Sequence, residues 1–374
     1  MIENDIDQLQ HNIRTQQVHA VGTVRPFKNI CLLCIQHGKK CLLTSDSDKQ
    51  DEKESKLILE NWLRFAFIEF GWIDEFSKMI ARYAKRFKLL RIIQGFFRLT
   101  NAQFSPDGNK IVSSSNELIK VWDVSGKNIM TLKGHYRRVN SVNFSSDGNM
   151  ILSASGDNTV RIWSAKSGAE LQCYQLAFAE AKAARISSNG QTIVTCFKDV
   201  AILLWQVHHP VRKKKMEGHL HWVSDVQFSP DGNMFLSASY DGTIGIWETT
   251  TCEKIKELKG HSNYVLKAQF SPDGCFIVSC SWDKTIRIWD ITSGKEVQKL
   301  EGHTDVVCSV RYSSDGQNIV SCSRDSTIRL WDSKSGKEIQ ILERQSNWVT
   351  DVDISSDGNT IVSCSNDQTI CIWG

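Results

Sequence analysis

From about residue 95 to the end of the chain, short apolar runs return at a fixed spacing. Within residues 260–302 they are VLKAQFS (265–271), CFIVSCS (275–281), TIRIWD (285–290) and KEVQKLEG (295–302). Pro272-Asp273-Gly274, Trp282-Asp283-Lys284 and Thr292-Ser293-Gly294 separate them. The first three runs are rich in branched and aromatic residues, and turn-forming residues bound all four, which predicts strands. Connections this short join antiparallel neighbours, so each period is expected to be a four-stranded antiparallel sheet.

The period is set by Trp122, Trp163, Trp205, Trp247, Trp289, Trp331 and Trp373, with a first step of 41 residues and later steps of 42. A constant period of about 40 residues is the mark of a repeat architecture. One such sheet cannot bury both of its faces, so consecutive sheets must stack, and closing them radially protects their edges. The expected fold is therefore all-β, a seven-bladed β-propeller over residues 88–374. Its last repeat breaks off after a third strand at Trp373-Gly374. The segment KLLRIIQG (88–95) matches KEVQKLEG, with Leu90 at Val297, Ile93 at Leu300 and Gly95 at Gly302, and is expected to supply the missing strand.

Upstream the periodicity changes. Apolar residues fall at Leu57, Ile58, Trp62, Leu63, Ala66, Phe67 and Phe70, and after Gly71 at Ile73, Phe76, Met79, Ile80, Tyr83, Ala84 and Phe87. This spacing predicts a small α-helical N-terminal extension, an amphipathic hairpin over 56–87. Asp74 and Glu75 open its second helix, and Arg82, Lys85, Arg86 and Lys88 close it, as the helix dipole favours. Docking on the propeller is the preferred reading, ahead of a membrane-surface or calmodulin-type helix. Residues 1–55 lack sustained periodicity, include the charged stretch SDSDKQDEKES, and are expected to be largely disordered.

Gly-His at the head of the unit, Asp six residues before Trp, and Trp-Asp at its close resemble the WD40 repeat. The likeness covers roughly three quarters of the chain. It implies a buried hydrogen-bonded tetrad in each blade. The complete sets are His135, Ser153, Asp157 and Trp163; His219, Ser237, Asp241 and Trp247; His261, Ser279, Asp283 and Trp289; and His303, Ser321, Asp325 and Trp331. A second serine two residues after each assigned one competes for its place. Blade three has Ala177 and blade seven Gln345 where His belongs, and blade one lacks the His altogether. Four Ser-His-Asp trios invite a hydrolase reading, but a catalytic site needs one exposed nucleophile with an oxyanion hole, whereas a trio recurring beside a Trp is a structural device.

Composition adds little push toward any partner class. A net charge of +3 and 23% charged residues give no general drive toward nucleic acid, and none is expected. The acidic opening MIENDIDQLQ is unlike a signal peptide, and no transmembrane segment of about 18 apolar residues occurs. The expectation is an intracellular protein, cytoplasmic or nuclear. Of twelve cysteines, Cys280, Cys322 and Cys364 share a repeat position held elsewhere by Ala154 and Ala238, which marks them as small buried residues. Cys31, Cys34, His37 and Cys41 are a weak candidate zinc set, too tightly spaced and interleaved with leucines, so no metal or other cofactor is expected. Arg212 to Lys215 reads as a blunted sheet edge rather than a nuclear-import patch. The three Ser-Gly-Lys turns lack the upstream glycine of a phosphate loop.

The resemblance also implies a partner-binding top face, carried by the residue before the tetrad Asp, the first-strand residue facing the channel and the one two places earlier. On this chain those series contain Trp222, Tyr240, Tyr264 and Trp282 on blades four and five, extended by Arg324 and Trp348. Trp, Tyr and Arg dominate binding hot spots. The alternative is that the N-terminal helices cover them or that they stack on one another. The expected function is a non-enzymatic protein-interaction scaffold holding a protein or peptide on this face, with a possible second partner on the N-terminal helices. A substrate-recognition subunit of a multi-protein complex such as a ubiquitin ligase is the alternative, although no Leu-Pro opening of an F-box is present. A nucleotide- or metal-dependent regulator is poorly supported.

Overall fold

The computed structural model describes residues 86–374, apart from 96, 177, 178, 208 and 344. The disordered segment expected over 1–55 with its Cys/His set, and the helical hairpin up to residue 85 with the second-partner surface expected on it, lie outside the described residues. Seven four-stranded antiparallel sheets follow one another. Blades one to six are contiguous meanders over residues 99–132, 139–175, 181–216, 223–259, 265–300 and 307–343.

Blade seven is assembled from both ends of this region. Its inner strands run from residue 349 to residue 373, and β1 (Leu89–Gln94) pairs antiparallel with the last strand (Thr369–Trp373) on the outside. Arg91 lies opposite Ile372 and Ile93 opposite Ile370. Lys88 and Gly374 exchange backbone hydrogen bonds of 2.9 and 3.0 Å, and the Gly95 amide donates to the Gln368 carbonyl. Ile93 then buries its side chain with Leu99, Trp122 and Ile370, in the cluster that joins blades seven and one. Phe87, expected to end the second helix, is not helical: it is buried on blades six and seven, and its amide and carbonyl both bond the Gln340 side chain. Phe87 thus belongs to the packing between blades, ahead of the strand that begins at Leu89.

Stacking explains the strand compositions. The second strand of each blade lies between two neighbouring blades, so both of its faces are buried and it reads FIVSCS rather than alternating. Cys280, Cys322 and Cys364 are fully buried there as free thiols, and burial pushes their pKa values well up. The outer strand faces solvent and alternates, as in KIKELK. The seven repeat tryptophans are 1% to 5% exposed. Each joins the clusters between blades, as Trp289 does with Leu236, Ile246 and Phe270. At the first turn Ser271 accepts the Phe276 amide and donates to Asp273, and Gly274 takes the left-handed φ of 70°. The equivalent glycines of all seven blades have φ between 66° and 74°.

Candidate functional site

Two features converge on the top face, a set of buried networks that fix its loops and a set of side chains that they present. In blade five His261 donates through Nδ1 to Asp283 at 2.8 Å, and Ser279 donates to His261 Nε2 at 2.7 Å while accepting the Trp289 indole N–H at 2.8 Å. The His135, His219 and His303 sets repeat this within 0.1 Å on equivalent bonds. The competing second serine does something else, since Ser281 donates to the Asn263 carbonyl and accepts the Asp283 amide.

The network has a fifth member, a threonine two residues after the tetrad Asp that the sequence reading did not assign. The Asp283 carboxylate also accepts the Thr285 hydroxyl and amide, and Thr159, Thr243 and Thr327 place their hydroxyls on Asp in the same way in their blades. Burial pushes the Asp283 carboxyl up, but the hydrogen bond and charge of His261 and the bond from Thr285 outweigh it and hold the pKa well below the usual carboxylate range. The tetrad serines have no exposed surface. A nucleophile must reach its substrate, so these trios cannot act as hydrolase sites.

The incomplete blades behave as their residues dictate. Ser363 still accepts the Trp373 indole, at 3.1 Å, and Ser113 the Trp122 indole, at 2.8 Å. In blade three the buried Thr195 hydroxyl has no hydrogen-bond partner among the described residues. Ala177 itself lies outside them.

Held by these networks, the loops pair the top-face positions blade by blade. The Tyr240 amide donates to the Trp222 carbonyl, the Trp282 amide to Tyr264, Arg324 to Val306 and Asn366 to Trp348, each at 2.9 Å. Neighbouring blades then set these pairs side by side. Lys198 Nζ lies 4.9 Å over the Trp222 ring, and Trp222 meets Tyr240 at 5.8 Å. Tyr240 and Tyr264 stack at 4.5 Å with planes 8° apart, and Tyr264 meets Trp282 at 5.5 Å. The Arg324 guanidinium lies between two indoles, 4.7 Å from Trp282 and 4.6 Å from Trp348.

All six predicted top-face residues therefore lie in one continuous series, from blade four to blade seven. His221 belongs to it as well, 5.3 Å from Trp222 and 5.9 Å from both tyrosines. The signal for His221 was its place two residues after the tetrad His, a loop position that lies outside the three series named from the repeat. Trp222 is 37% exposed and Trp348 45%, so the series remains open to solvent at both ends.

Below this surface the channel is filled with polar groups. Lys267 of blade five pairs with the fully buried Asp351 of blade seven, spanning blade six, and Asp351 also accepts from Asn101 of blade one. Arg185 pairs with Asp225 at 3.5 Å and Arg311 with Asp353 at 3.6 Å. At the channel rim Thr100, Asn140, Ser224 and Thr350 bond the first-strand carbonyl of the next blade. Thr350 to Leu99, at 3.0 Å, joins blade seven to blade one. Among the described residues no group of three or more His, Cys, Asp or Glu is placed to hold a metal ion, and no helix is long and apolar enough to cross a membrane.

No curated protein matches the chain. The family model of the IFT122 first beta-propeller matches residues 98–373, all seven blades apart from the closing strand. Repeat spacing, ring closure and this match together place the chain in the IFT122 first beta-propeller family.

Proposed function

We propose that this chain is a non-catalytic interaction scaffold that holds a protein or peptide partner on the top-face sector running from Trp222 to Trp348. The observation that carries the reading is the unbroken series of ring and cation–ring contacts from Lys198 to Trp348. Stacking accounts for the rings' order but leaves large aromatic surface in water, which a folded chain without a partner has reason to avoid. It also fixes side chains that would otherwise lose rotamer freedom on binding, so the surface is preorganised. Buried networks supply rigidity beneath it, and a rigid platform presenting Trp, Tyr and Arg has the makeup of a hot spot.

Affinity purification of partners with the wild-type chain and with a Trp222→Ala/Trp282→Ala double variant tests this. Proteins recovered by the wild type and lost by a folded double variant support the reading. An unchanged set of captured proteins refutes it.

A further inference from the structure

The same top face is electrically lopsided. Arg98 and Arg138 occupy on blades one and two the position that Trp222 holds on blade four, and both are exposed. Lys182, partly buried on the first strand of blade three, lies near Arg138 and Lys198, and Lys198 borders the aromatic series. Glu180, 3.8 Å from Lys198, is the acid among them, with Glu117 at the blade-one turn, Asp199 beside Lys198 and, farther round on blade six, Asp305. Among the described residues no carboxylate lies within ion-pair distance of Arg98, Arg138, Lys182 or Arg324. The cations feel one another. Loss of solvent and then the nearby Arg98 lower the Arg138 pKa, and loss of solvent and then Arg138 lower that of Lys182, against the opposing Glu180.

From this charge complementarity we infer that the partner bound by this face presents an acidic peptide segment, its carboxylates over Arg98, Arg138 and Lys182 and its flanking apolar residues on the aromatic sector. The inference rests on the proposed function and adds the partner's chemistry to it. Carboxylates placed there relieve the repulsion among the cations, and the edge of the Arg324 guanidinium offers a donor pair beside the aromatic rings. A single-stranded nucleic acid also carries negative charge, but it needs open ring faces on which to stack its bases. Here one face of each ring is already taken: Tyr240 and Tyr264 cover each other, Lys198 covers Trp222, and Arg324 lies between Trp282 and Trp348. The aromatic surface that stays open, at Trp222 and Trp348, lies beside cations, which suits carboxylates and aliphatic side chains.

A random peptide library displayed on phage, selected on the full chain and counter-selected on its Trp282→Ala variant, tests this. Peptides that need Trp282 should be enriched in Asp and Glu, and their affinity for the wild type should fall as salt is raised. Arg98→Glu and Arg138→Glu should each weaken them about tenfold or more at an unchanged melting temperature. Peptides that need Trp282 but carry no acidic excess, or whose affinity is indifferent to salt, overturn the acidic assignment and leave the scaffold reading standing. If no selected peptide needs Trp282, both fall. Random single-stranded oligonucleotides that bind more tightly than any peptide, in a Trp282-dependent way, overturn the peptide in favour of nucleic acid.

Discussion

The rings of Tyr240 and Tyr264 lie face to face at 4.5 Å although the residues belong to different blades. Tyr240 precedes the tetrad Asp of blade four, and Tyr264 immediately precedes the first strand of blade five. Their contact therefore reports how the two blades are set against each other at the top face. A double-mutant cycle between Tyr240→Ala and Tyr264→Ala, read by denaturant unfolding, should give a coupling of about 0.5 to 1.5 kcal/mol. Additive losses would mean that the rings do not stack in solution.

Closure by β1 has a direct consequence for stability. A chain that begins at Thr100 loses the outer strand of blade seven, its backbone ladder to Thr369–Trp373 and the buried Ile93 side chain. It leaves one sheet edge and one interblade core open, so thermal unfolding should begin many degrees lower. A chain starting at Thr100 that melts with the full-length protein would show that β1 does not hold the ring.

The tetrads predict a difference between blades. Trp289→Phe keeps most of the apolar bulk but removes the indole donor from Ser279, which also serves His261, and should cost about 1 to 3 kcal/mol. Trp122→Phe takes the donor from Ser113 in a blade with no histidine, and should cost less. Equal losses in chemical denaturation would show that the extended network adds nothing to the single Trp–Ser bond.

Acid should weaken the fold in two stages. Burial lowers the pKa of His135 and His261 below the ordinary 6.5, so the unfolded chain takes up these protons first and stability declines as pH falls through about 6.5. Asp157, Asp241, Asp283 and Asp325 are also held below the ordinary 3.8, so the stability they contribute is present above that value and is lost further below it. Melting temperature followed from pH 8 to pH 3 should fall gently below about 6.5 and steeply below about 4. A melting temperature that rises between pH 7 and pH 5 would contradict neutral buried imidazoles.

The architecture was legible because every blade repeats the same requirement. A Trp at a constant step, a turn Asp and a buried second strand are local features, and β1 was recognisable from its likeness to 295–302. The tetrad threonines were harder to see, since Thr285 looks like an ordinary strand residue until its hydroxyl is found on Asp283. The channel pairs were out of reach: Lys267 and Asp351 come from blades that are not neighbours, and only ring closure brings them together. Trp222 and Trp282 were picked out by repeat position, yet the sandwich of Arg324 between Trp282 and Trp348 depends on how far each blade is rotated from the next, which spacing does not encode.

The most direct test of the scaffold account separates binding from folding at Trp282. The residue belongs to no tetrad, and its ring contacts are Tyr264 and Arg324, so Trp282→Ala should cost about 1 kcal/mol or less of stability. Affinity for a partner recovered with the wild-type chain, measured by calorimetry on both proteins, should weaken by about 2 kcal/mol or more, as truncation of a central anchor does. If Trp282→Ala instead loses several degrees of melting temperature and keeps the wild-type affinity, the ring is internal packing and the partner binds elsewhere.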